Sequence, residues 1–516
     1  MNKAGLLLAL LPLLSALGGC ATNPVTGREE LSLVPESTEL EIGREQYLPT
    51  RQMQGGDYTA RPELVRYVQR VGKKLAAVSD RQLPYEFVVV NDATPNAWAL
   101  PGGKIAVNRG LLLELDSEAE LAAVLGHEIV HAAARHTAKS IERGMLLQGA
   151  LAGAAIASGS SEYGGLALGA AALGAKLISQ RYSREAELEA DHYGMIYMKR
   201  AGYDPEAAVT LQQTFVRLAK GRDQNWLEGL FATHPPSEER VRKNRELAAK
   251  LGTGGRLGKE EYQRRIAGLK HDRKAYAYYE QGQKVLKKSP EKALALAGLA
   301  IEIQPREPLF WGLKGDALAA RNRDQEARRA YDKALALDSG FYRYYLKRGE
   351  LAAKMGDRPQ AQRDLKRSME LLPTAEASYD LGLIAKRSGD EQAALGYLRQ
   401  AAEAGGTTGK AAGRELAQLD LERNPGHYLQ TGLGYDRYGN LLLVVKNPTS
   451  LAVKDIVVQV GRRDASGRIY RGITETLPGV LRPGQQAQIR TRITGVTRER
   501  RLRKYGARVV RARLAR

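Results

Sequence analysis

The chain has 516 residues, of which 43% are hydrophobic and 27% charged, and a formal net charge of +21. This length exceeds one ordinary hydrophobic core and predicts three or four domains, and the composition is typical of a globular rather than a disordered chain. No stretch combines a basic helix face with interleaved aromatic residues, so the charge does not predict nucleic-acid binding. The positive charge is concentrated at residues 497–516. A basic surface of this kind favours binding to anionic lipid headgroups or acidic partners, or it only increases solubility.

Residues 1–20 predict a lipoprotein signal peptide. Lys3 precedes an apolar run that is too short to span a bilayer and ends in Leu-Gly-Gly-Cys, which resembles the bacterial lipobox. Cys20 is the single cysteine of the chain, so no intramolecular disulfide can form. A plain secretory signal with an incidental cysteine is the alternative. Lipid attachment at Cys20, followed by Ala21, predicts anchoring on the periplasmic side of the outer membrane.

Residues 21–50 predict a tether followed by a short acidic helix, and residues 51–255 predict the first compact domain. Within that domain, residues 85–91 form an apolar run typical of a buried strand. Ser117, with Glu120 three residues later, predicts a capping box at the start of the next helix.

That helix carries the sequence LGHEIVHAAARH. A separation of four residues turns a helix by about 400°, so His127 and His131 project from one face and can bind one metal ion. Glu128 can reach a water at that ion and act as general base. His136 lies five residues beyond His131, and we interpret it as an ordinary helix-end residue.

Residues 144–177 are rich in Gly and Ala. Their interrupted halves are too short to span a membrane, so they predict a helical lid beside the active site, with membrane-surface contact as the alternative. The next segment, SREAELEADHYG, supplies a candidate third ligand, Glu187. Asp191, one helical turn later, can accept a hydrogen bond from a ligand histidine and fix its tautomer. An exposed acidic helix face is the alternative for this segment.

Residues 270–424 contain internal repeats. Residues 306–339 and 340–373 have the period of about 34 residues that is typical of the tetratricopeptide repeat. Three glycines and three alanines recur in register, namely Gly315, Gly349, Gly382, Ala327, Ala361 and Ala394. Residues 426–516 are β-branched and alternating with Pro-Gly and Ser-Gly turns, which predicts a small β-sandwich-like domain for binding or packing.

The HExxH motif followed by Glu-x-x-Ala-Asp resembles the zinc metallopeptidase family of CAAX prenyl proteases and HtpX-type proteases, which are gluzincins. Residues 23–34, 96–112 and 233–240 also match segments of that family, so the resemblance covers most of residues 23–245. With the repeats, the layout is similar to the periplasmic BepA-like branch. That branch is not usually followed by a domain like residues 426–516.

The resemblance implies a multidomain fold: a mainly α zincin-type peptidase domain with a small β-sheet, an α-solenoid of tetratricopeptide repeats and a C-terminal β-sandwich-like domain. It also implies one Zn²⁺ per chain, a catalytic base and a residue that supports a ligand. These positions are the ligands His127, His131 and Glu187, the base Glu128 and the supporting Asp191.

His234 matches a histidine that approaches the metal centre in the family. It could stabilise the oxyanion of the tetrahedral intermediate, or occupy the fourth coordination position and keep the enzyme latent. A histidine packed in a Pro-rich turn is the third alternative. Substrate could add as a strand along the edge of residues 104–108, with Trp98 either lining a specificity pocket or filling the core.

Together these features predict a lipid-anchored zinc endopeptidase that degrades misfolded or stalled envelope proteins, including outer-membrane barrel precursors. The repeats would recruit these clients or another protein partner. Two alternatives remain: a chaperone or assembly scaffold with a latent or vestigial zinc site, and an amidase acting on peptidoglycan.

Overall fold

The computed structural model describes residues 19–144, 176–220, 229–252, 254–464 and 466–515. These residues fall into two compact units, residues 1–347 and residues 348–516. Most of the predicted signal peptide and of the predicted lid at 144–177 lies outside the described residues. Within the described ranges, no helix combines the length and the apolar character that crossing a membrane requires.

The N-terminal segment is more ordered than a tether. Strands β1 (Gly19–Thr22) and β2 (Glu29–Ser32) pair antiparallel, and helix α1 (Glu36–Met53) follows them. The Asn23 side chain holds the intervening turn by accepting hydrogen bonds from the backbone N–H groups of Val25 and Thr26. The helix at this position is therefore 18 residues long rather than short.

The peptidase region contains a three-stranded sheet: β3 (Glu86–Val90), β4 (Ala97–Leu100) and β5 (Lys104–Asn108). Its order is β3-β5-β4, with β3 and β5 parallel and β4 antiparallel to β5. The prediction that residues 104–108 offer an edge to substrate is therefore wrong. Gly102 and Gly103, both at positive φ, turn the chain so that β5 returns between its neighbours. In the described part of the chain, β4 is an edge strand.

The helices of the peptidase region that the structure describes from end to end include α2 (Pro62–Ala76), α3 (Arg109–Leu112), α4 (Glu118–Ala133), α5 (Arg184–Arg200), α6 (Glu206–Lys220), α7 (Leu230–Thr233) and α8 (Glu238–Leu251). Ser117 caps α4 by accepting from the Glu120 N–H at 3.1 Å, as predicted. The Glu120 carboxylate reaches back to the Asp116 N–H, one residue before the expected partner. Helices α4 and α5 pack backbone to backbone at Gly126 and Gly194, where an added Cβ would lie 3.1 Å from the neighbouring helix.

Helix α9 (Lys259–His271) precedes the predicted repeats. Nine further helices form the repeat region: α10 (Arg273–Val285), α11 (Pro290–Ile303), α12 (Pro308–Ala320), α13 (Asp324–Leu337), α14 (Tyr342–Lys354), α15 (Arg358–Leu371), α16 (Ala375–Arg387), α17 (Glu391–Glu403) and α18 (Gly406–Asp420). The helix–turn–helix pairs confirm the tetratricopeptide prediction. The in-register glycines lie where a helix meets its pair; Gly315, for instance, packs against the Tyr331 ring.

The first repeats share a hydrophobic core with the peptidase region. Tyr262 of α9, Tyr276 of α10 and Phe310 of α12 are all buried in that core. A partly buried ion pair joins Arg61, just before α2, to Asp272 at 2.7 Å. The domain boundary expected between residues 255 and 270 therefore does not coincide with a break in packing.

The C-terminal β-rich domain has the two sheets expected of a small sandwich. Its strands are β6 (Gln430–Tyr435), β7 (Leu441–Lys446), β8 (Val453–Arg463), β9 (Ile469–Leu481), β10 (Gln486–Arg490) and β11 (Tyr505–Leu514), with a short helix α19 (Glu499–Leu502). The sheet orders are β10-β7-β6 and β11-β8-β9. Alternate residues of both sheets, such as Leu443 and Val458, are fully buried in one apolar core.

Candidate metal centre

Four predicted residues meet in one buried cluster. Helix α4 supplies His127 and His131, α5 supplies Glu187, and the turn after α7 supplies His234. Their ligand atoms all lie within 4.8 Å of one another. The close packing of α4 on α5 at Gly194 brings the carboxylate of α5 to the histidines of α4.

The donor set fits a tetrahedral zinc ion. His127 Nε2 lies 3.0 Å from His131 Nε2, and His131 Nε2 lies 3.4 Å from Glu187 Oε1. A zinc–nitrogen distance of about 2.0–2.1 Å places tetrahedral ligand atoms roughly 3.3 Å apart. The two Nε2 atoms face each other, and both Nδ1 atoms have other partners, so the inward lone pairs are available to a cation.

Asp191 supports His127. Its Oδ1 accepts a hydrogen bond from His127 Nδ1 at 2.9 Å, which leaves Nε2 as the ligand atom. Arg240 donates to both oxygens of Asp191 at 2.7 Å. Although burial tends to raise the pKa of Asp191, Arg240 outweighs it and holds that pKa below its usual value. The predicted supporting role of Asp191 therefore has a geometric basis, and Arg240 is a contributor that sequence reasoning missed.

Glu187 is kept ionised by His234 and by the same arginine, Arg240. Arg240 Nη1 lies 2.7 Å from Glu187 Oε2. Burial tends to raise the pKa of Glu187, but the charges of His234, Arg240 and His127 hold it well below its ordinary value. A carboxylate that is ionised at neutral pH is suited to bind a metal.

Glu128 lies at the side of the cluster rather than within it. It is 1% exposed, and its Oε2 has no hydrogen-bond partner among the described residues. Burial raises its pKa, which moves it toward the range of an effective general base. Glu128 Oε1 lies 3.7 Å from His234 Nε2.

His234 lies inside the cluster and is not merely packed in a turn. Its Nδ1 lies 2.9 Å from Glu187 Oε1 and 3.3 Å from His127 Nε2. Burial tends to lower its pKa, but the carboxylates of Glu187 and Glu128 raise it above the ordinary value. This position is compatible with both metal-proximal roles expected for His234.

The interpretation of His136 as an ordinary helix-end residue is wrong. It is buried, its Nδ1 lies 2.9 Å from His131 Nδ1, and its Nε2 lies 3.1 Å from Glu189. Helix α4 is interrupted after Ala133, where Arg135 has a φ of 63°, and a new helical segment turns His136 back toward the site. An uninterrupted helix would have rotated it away.

Tyr182 is a second contributor that the sequence analysis missed. Its ring stacks on that of His131 at 3.9 Å between centroids, and its hydroxyl contacts Thr137 at 2.9 Å. Nothing in its local sequence distinguishes it from a core tyrosine. Tyr182 and His136 together fix the ring orientation of His131.

An apolar cavity of about 40 Å³ lies beside His127 and Glu128, lined by Met195, Leu211 and Phe215 among others. Trp98 does not line this cavity. It is 3% exposed, packs edge-on against Tyr47 and donates to Gln54 at 2.7 Å, so it belongs to the core. Cys20, the predicted lipid attachment site, lies in β1.

Comparison with known proteins agrees with this geometry. Residues 62–248 match the model of peptidase family M48. The chain is 35% identical over 194 residues to a putative beta-barrel assembly-enhancing protease of Vibrio cholerae, covering 36% of this chain and 40% of that protein. It is 40% identical over 182 residues to the mitochondrial metalloendopeptidase OMA1 of Schizosaccharomyces pombe, covering 35% of this chain and 52% of that protein.

A third relative, the beta-barrel assembly-enhancing protease of Escherichia coli, is 26% identical over 218 residues, covering 39% of this chain and 44% of that protein. The chain thus spans about half or less of these relatives' lengths. Among solved structures, a tetratricopeptide repeat protein of Thermus thermophilus aligns over 41% of this chain and 99% of its own, at 18% identity and a TM-score of 0.27. The expected metallopeptidase resemblance is confirmed, since residues 62–248 match the model of peptidase family M48.

Proposed function

We propose that the protein is a zinc-dependent endopeptidase. The observation that carries the proposal is the buried cluster of His127, His131 and Glu187 with Glu128 directly beside it. The names of the relatives, protease and metalloendopeptidase, support the same reaction class.

The residues divide the chemistry among them. Bound zinc would polarise the scissile carbonyl and lower the pKa of the attacking water. Glu128 takes the proton of that water and passes it to the leaving amine, and its raised pKa suits both steps. Asp191 and Arg240 hold His127 and Glu187 in ligand orientation throughout.

His234 can act in two ways, and both follow from its place among the ligands. In the arrangement seen here, His234 Nδ1 lies at hydrogen-bond distance from Glu187, where a fourth ligand would stand. This supports a latch that must move before substrate binds. If His234 moves only slightly, its imidazole can instead donate a hydrogen bond to the oxyanion of the tetrahedral intermediate.

Substrate would bind as an extended strand along β4 (Ala97–Leu100). Main-chain pairing of this kind does not depend on side chains, so it suits broad cleavage of unfolded segments. The apolar cavity lined by Met195 and Phe215 would accept an uncharged side chain next to the scissile bond.

In the cell, we infer a role in quality control of the envelope. The lipobox-like sequence supports a lipid at Cys20 and a position on the periplasmic side of the outer membrane. Misfolded or stalled outer-membrane proteins would be the clients, because two relatives are named for beta-barrel assembly. The repeats α10–α18 would recruit these clients or a partner protein.

A second candidate is a chaperone or assembly scaffold whose metal site stays closed. The position of His234 within the ligand cluster is the observation that favours it. The buried, unpaired Oε2 of Glu128 weighs against it, because such a group costs stability and a purely structural site does not need it.

Casein hydrolysis by wild type, Glu128→Gln and His234→Ala, with zinc content measured for all three, tests the proposal. We expect zinc in all three and no hydrolysis by Glu128→Gln. Faster hydrolysis by His234→Ala identifies a latch, and lost hydrolysis identifies an oxyanion stabiliser. If wild type and His234→Ala hold zinc yet cleave neither casein nor unfolded barrel proteins, the scaffold takes the place of the protease.

A further inference from the structure

The C-terminal β-rich domain carries most of the net positive charge of the chain. Residues 426–516 contain 19 Lys and Arg against 5 Asp and Glu, a net charge of +14 out of the +21 of the whole chain. Each of the five acids already lies within 4.0 Å of an arginine: Asp436, Asp455, Asp464, Glu475 and Glu499. Once each of the five acids is matched with one cation, 14 of the 19 cations are left without an acid of the same domain.

The strand register places four of these cations on one face of the sheet β11-β8-β9. Val458 and Val460 of β8 are fully buried, so Val457 and Gln459 between them point to the opposite, outer face. Directly opposed residues share a face, and the opposed pairs are Arg508 with Gln459, Arg511 with Val457 and Arg513 with Lys454. We call Lys454, Arg508, Arg511 and Arg513 the basic sheet face.

The third strand adds no acid to this face. Thr474, Thr476 and Val480 of β9 are opposite Gln459, Val457 and Lys454. Val480 is 52% exposed, and Val510, at a bulge of β11, is 41% exposed. Asp455 approaches one end of the face, with its Oδ2 4.0 Å from Arg513. The face thus combines exposed cations with exposed aliphatic side chains.

The outer face of the other sheet is different. Its opposed rows are Gln486–Lys446–Gln430, Gln488–Val444–Gly432 and Arg490–Leu442–Gly434. Two cations stand there, and Asp436 lies 3.8 Å from Arg490. Basic charge is therefore concentrated on one of the two sheets rather than spread evenly over the domain.

We propose that the basic sheet face docks this domain on an anionic lipid bilayer. Charge complementarity selects the partner: each Lys or Arg near an anionic membrane surface contributes about 1 kcal/mol to binding. Guanidinium groups contact headgroup phosphates, and Val480 and Val510 reach the boundary of the acyl region. A single-stranded nucleic acid would instead require aromatic rings for base stacking, and the three rows of this face contain none.

Vesicle co-sedimentation tests this docking. The full chain carries Cys20→Ser, so that no lipid at this position contributes, and is mixed with vesicles of phosphatidylcholine alone or with phosphatidylglycerol. The test variant is Arg508→Gln/Arg511→Gln. The matched control is Lys446→Gln/Arg490→Gln, which removes the same charge from the other sheet. Thermal unfolding confirms that both variants fold, and Arg511→Gln/Arg513→Gln serves as a second test variant.

We expect binding only when phosphatidylglycerol is present, weakening as salt is raised, and reduced roughly 30-fold by the test variant with little change in the control. Equal losses in both variants would mean that net charge alone drives binding and would overturn the proposal. Binding without phosphatidylglycerol overturns it as well. A third outcome would overturn it too: the protein binds a labelled DNA duplex or single strand more tightly than vesicles, and the test variant loses that binding. This result would assign the face to nucleic acid.

Discussion

The metal centre and the C-terminal β-rich domain use charge in opposite ways. At the candidate metal centre, Arg240 is buried between two carboxylates, Glu187 and Asp191, and lies 2.7 Å from each of them. In the β-rich domain, Arg508 and Arg511 are exposed on a sheet face with no acid opposite them. Buried charge fixes geometry at a high desolvation cost, whereas exposed charge attracts a partner and costs the fold little.

Removal of Arg240 should have the largest effect. Arg240→Met leaves Asp191 and Glu187 buried without the arginine that pairs with both of them, so we expect a loss of about 3–5 kcal/mol in unfolding free energy. Denaturant unfolding of the metal-free protein measures it. Arg242→Met is the control on the same helix, since Arg242 is 60% exposed and the change should stay within about 0.5 kcal/mol. Equal stability of the two variants would contradict the account.

Asp191→Asn should weaken zinc binding next. The carboxamide no longer holds His127 with a charged acceptor, so we expect zinc affinity to fall about 10–100-fold. Competition with a chromophoric chelator measures it. Glu185→Gln, on the first turn of the same helix, should bind zinc like wild type; a loss of the same size there would show that general charge, and not the contact to His127, matters.

His136→Ala should have a smaller effect on the same measurement. His136 supports His131 through a single contact at 2.9 Å, so we expect zinc affinity to fall up to about tenfold. His192→Ala, at an exposed position of α5, is the control. If the two variants bind zinc equally, His136 is not part of the centre.

Arg508→Gln/Arg511→Gln should change stability least. Both side chains are exposed, so the unfolding free energy should stay within about 0.5 kcal/mol of wild type. Differential scanning calorimetry of the full chain measures it. A large loss would mean that these arginines stabilise the sheet, and the contrast with Arg240 would disappear.

Local patterns were enough to predict part of this molecule. The spacing of His127 and His131 and the period of the repeats are set by helix geometry, which is encoded in sequence separation. The buried position of His136 could not be predicted, because the break at Arg135 depends on distant partners. The Arg135 side chain donates to Ser32 at 2.6 Å and to the Val34 carbonyl at 2.5 Å.

Two other features needed the tertiary fold. Strand β5 is central because it pairs in parallel with β3, although β4 lies between these two strands in the sequence. No local sequence signal indicates this pairing. Arg240 belongs to residues 233–240, which the sequence analysis matched to the peptidase family. Its contact with Asp191 forms only because α8 packs against α5. Long-range contacts thus account for the errors at both the sheet and the site.

The most direct test compares two adjacent buried acids with different proposed roles. Zinc content and casein hydrolysis are measured for Glu187→Gln and Glu128→Gln, together with wild type. We expect both variants to be inactive, with zinc lost from Glu187→Gln and one zinc per chain retained by Glu128→Gln. Two results would contradict the assignment of ligand and base. One is that Glu187→Gln retains zinc while Glu128→Gln loses it, and the other is that Glu128→Gln hydrolyses casein at the wild-type rate.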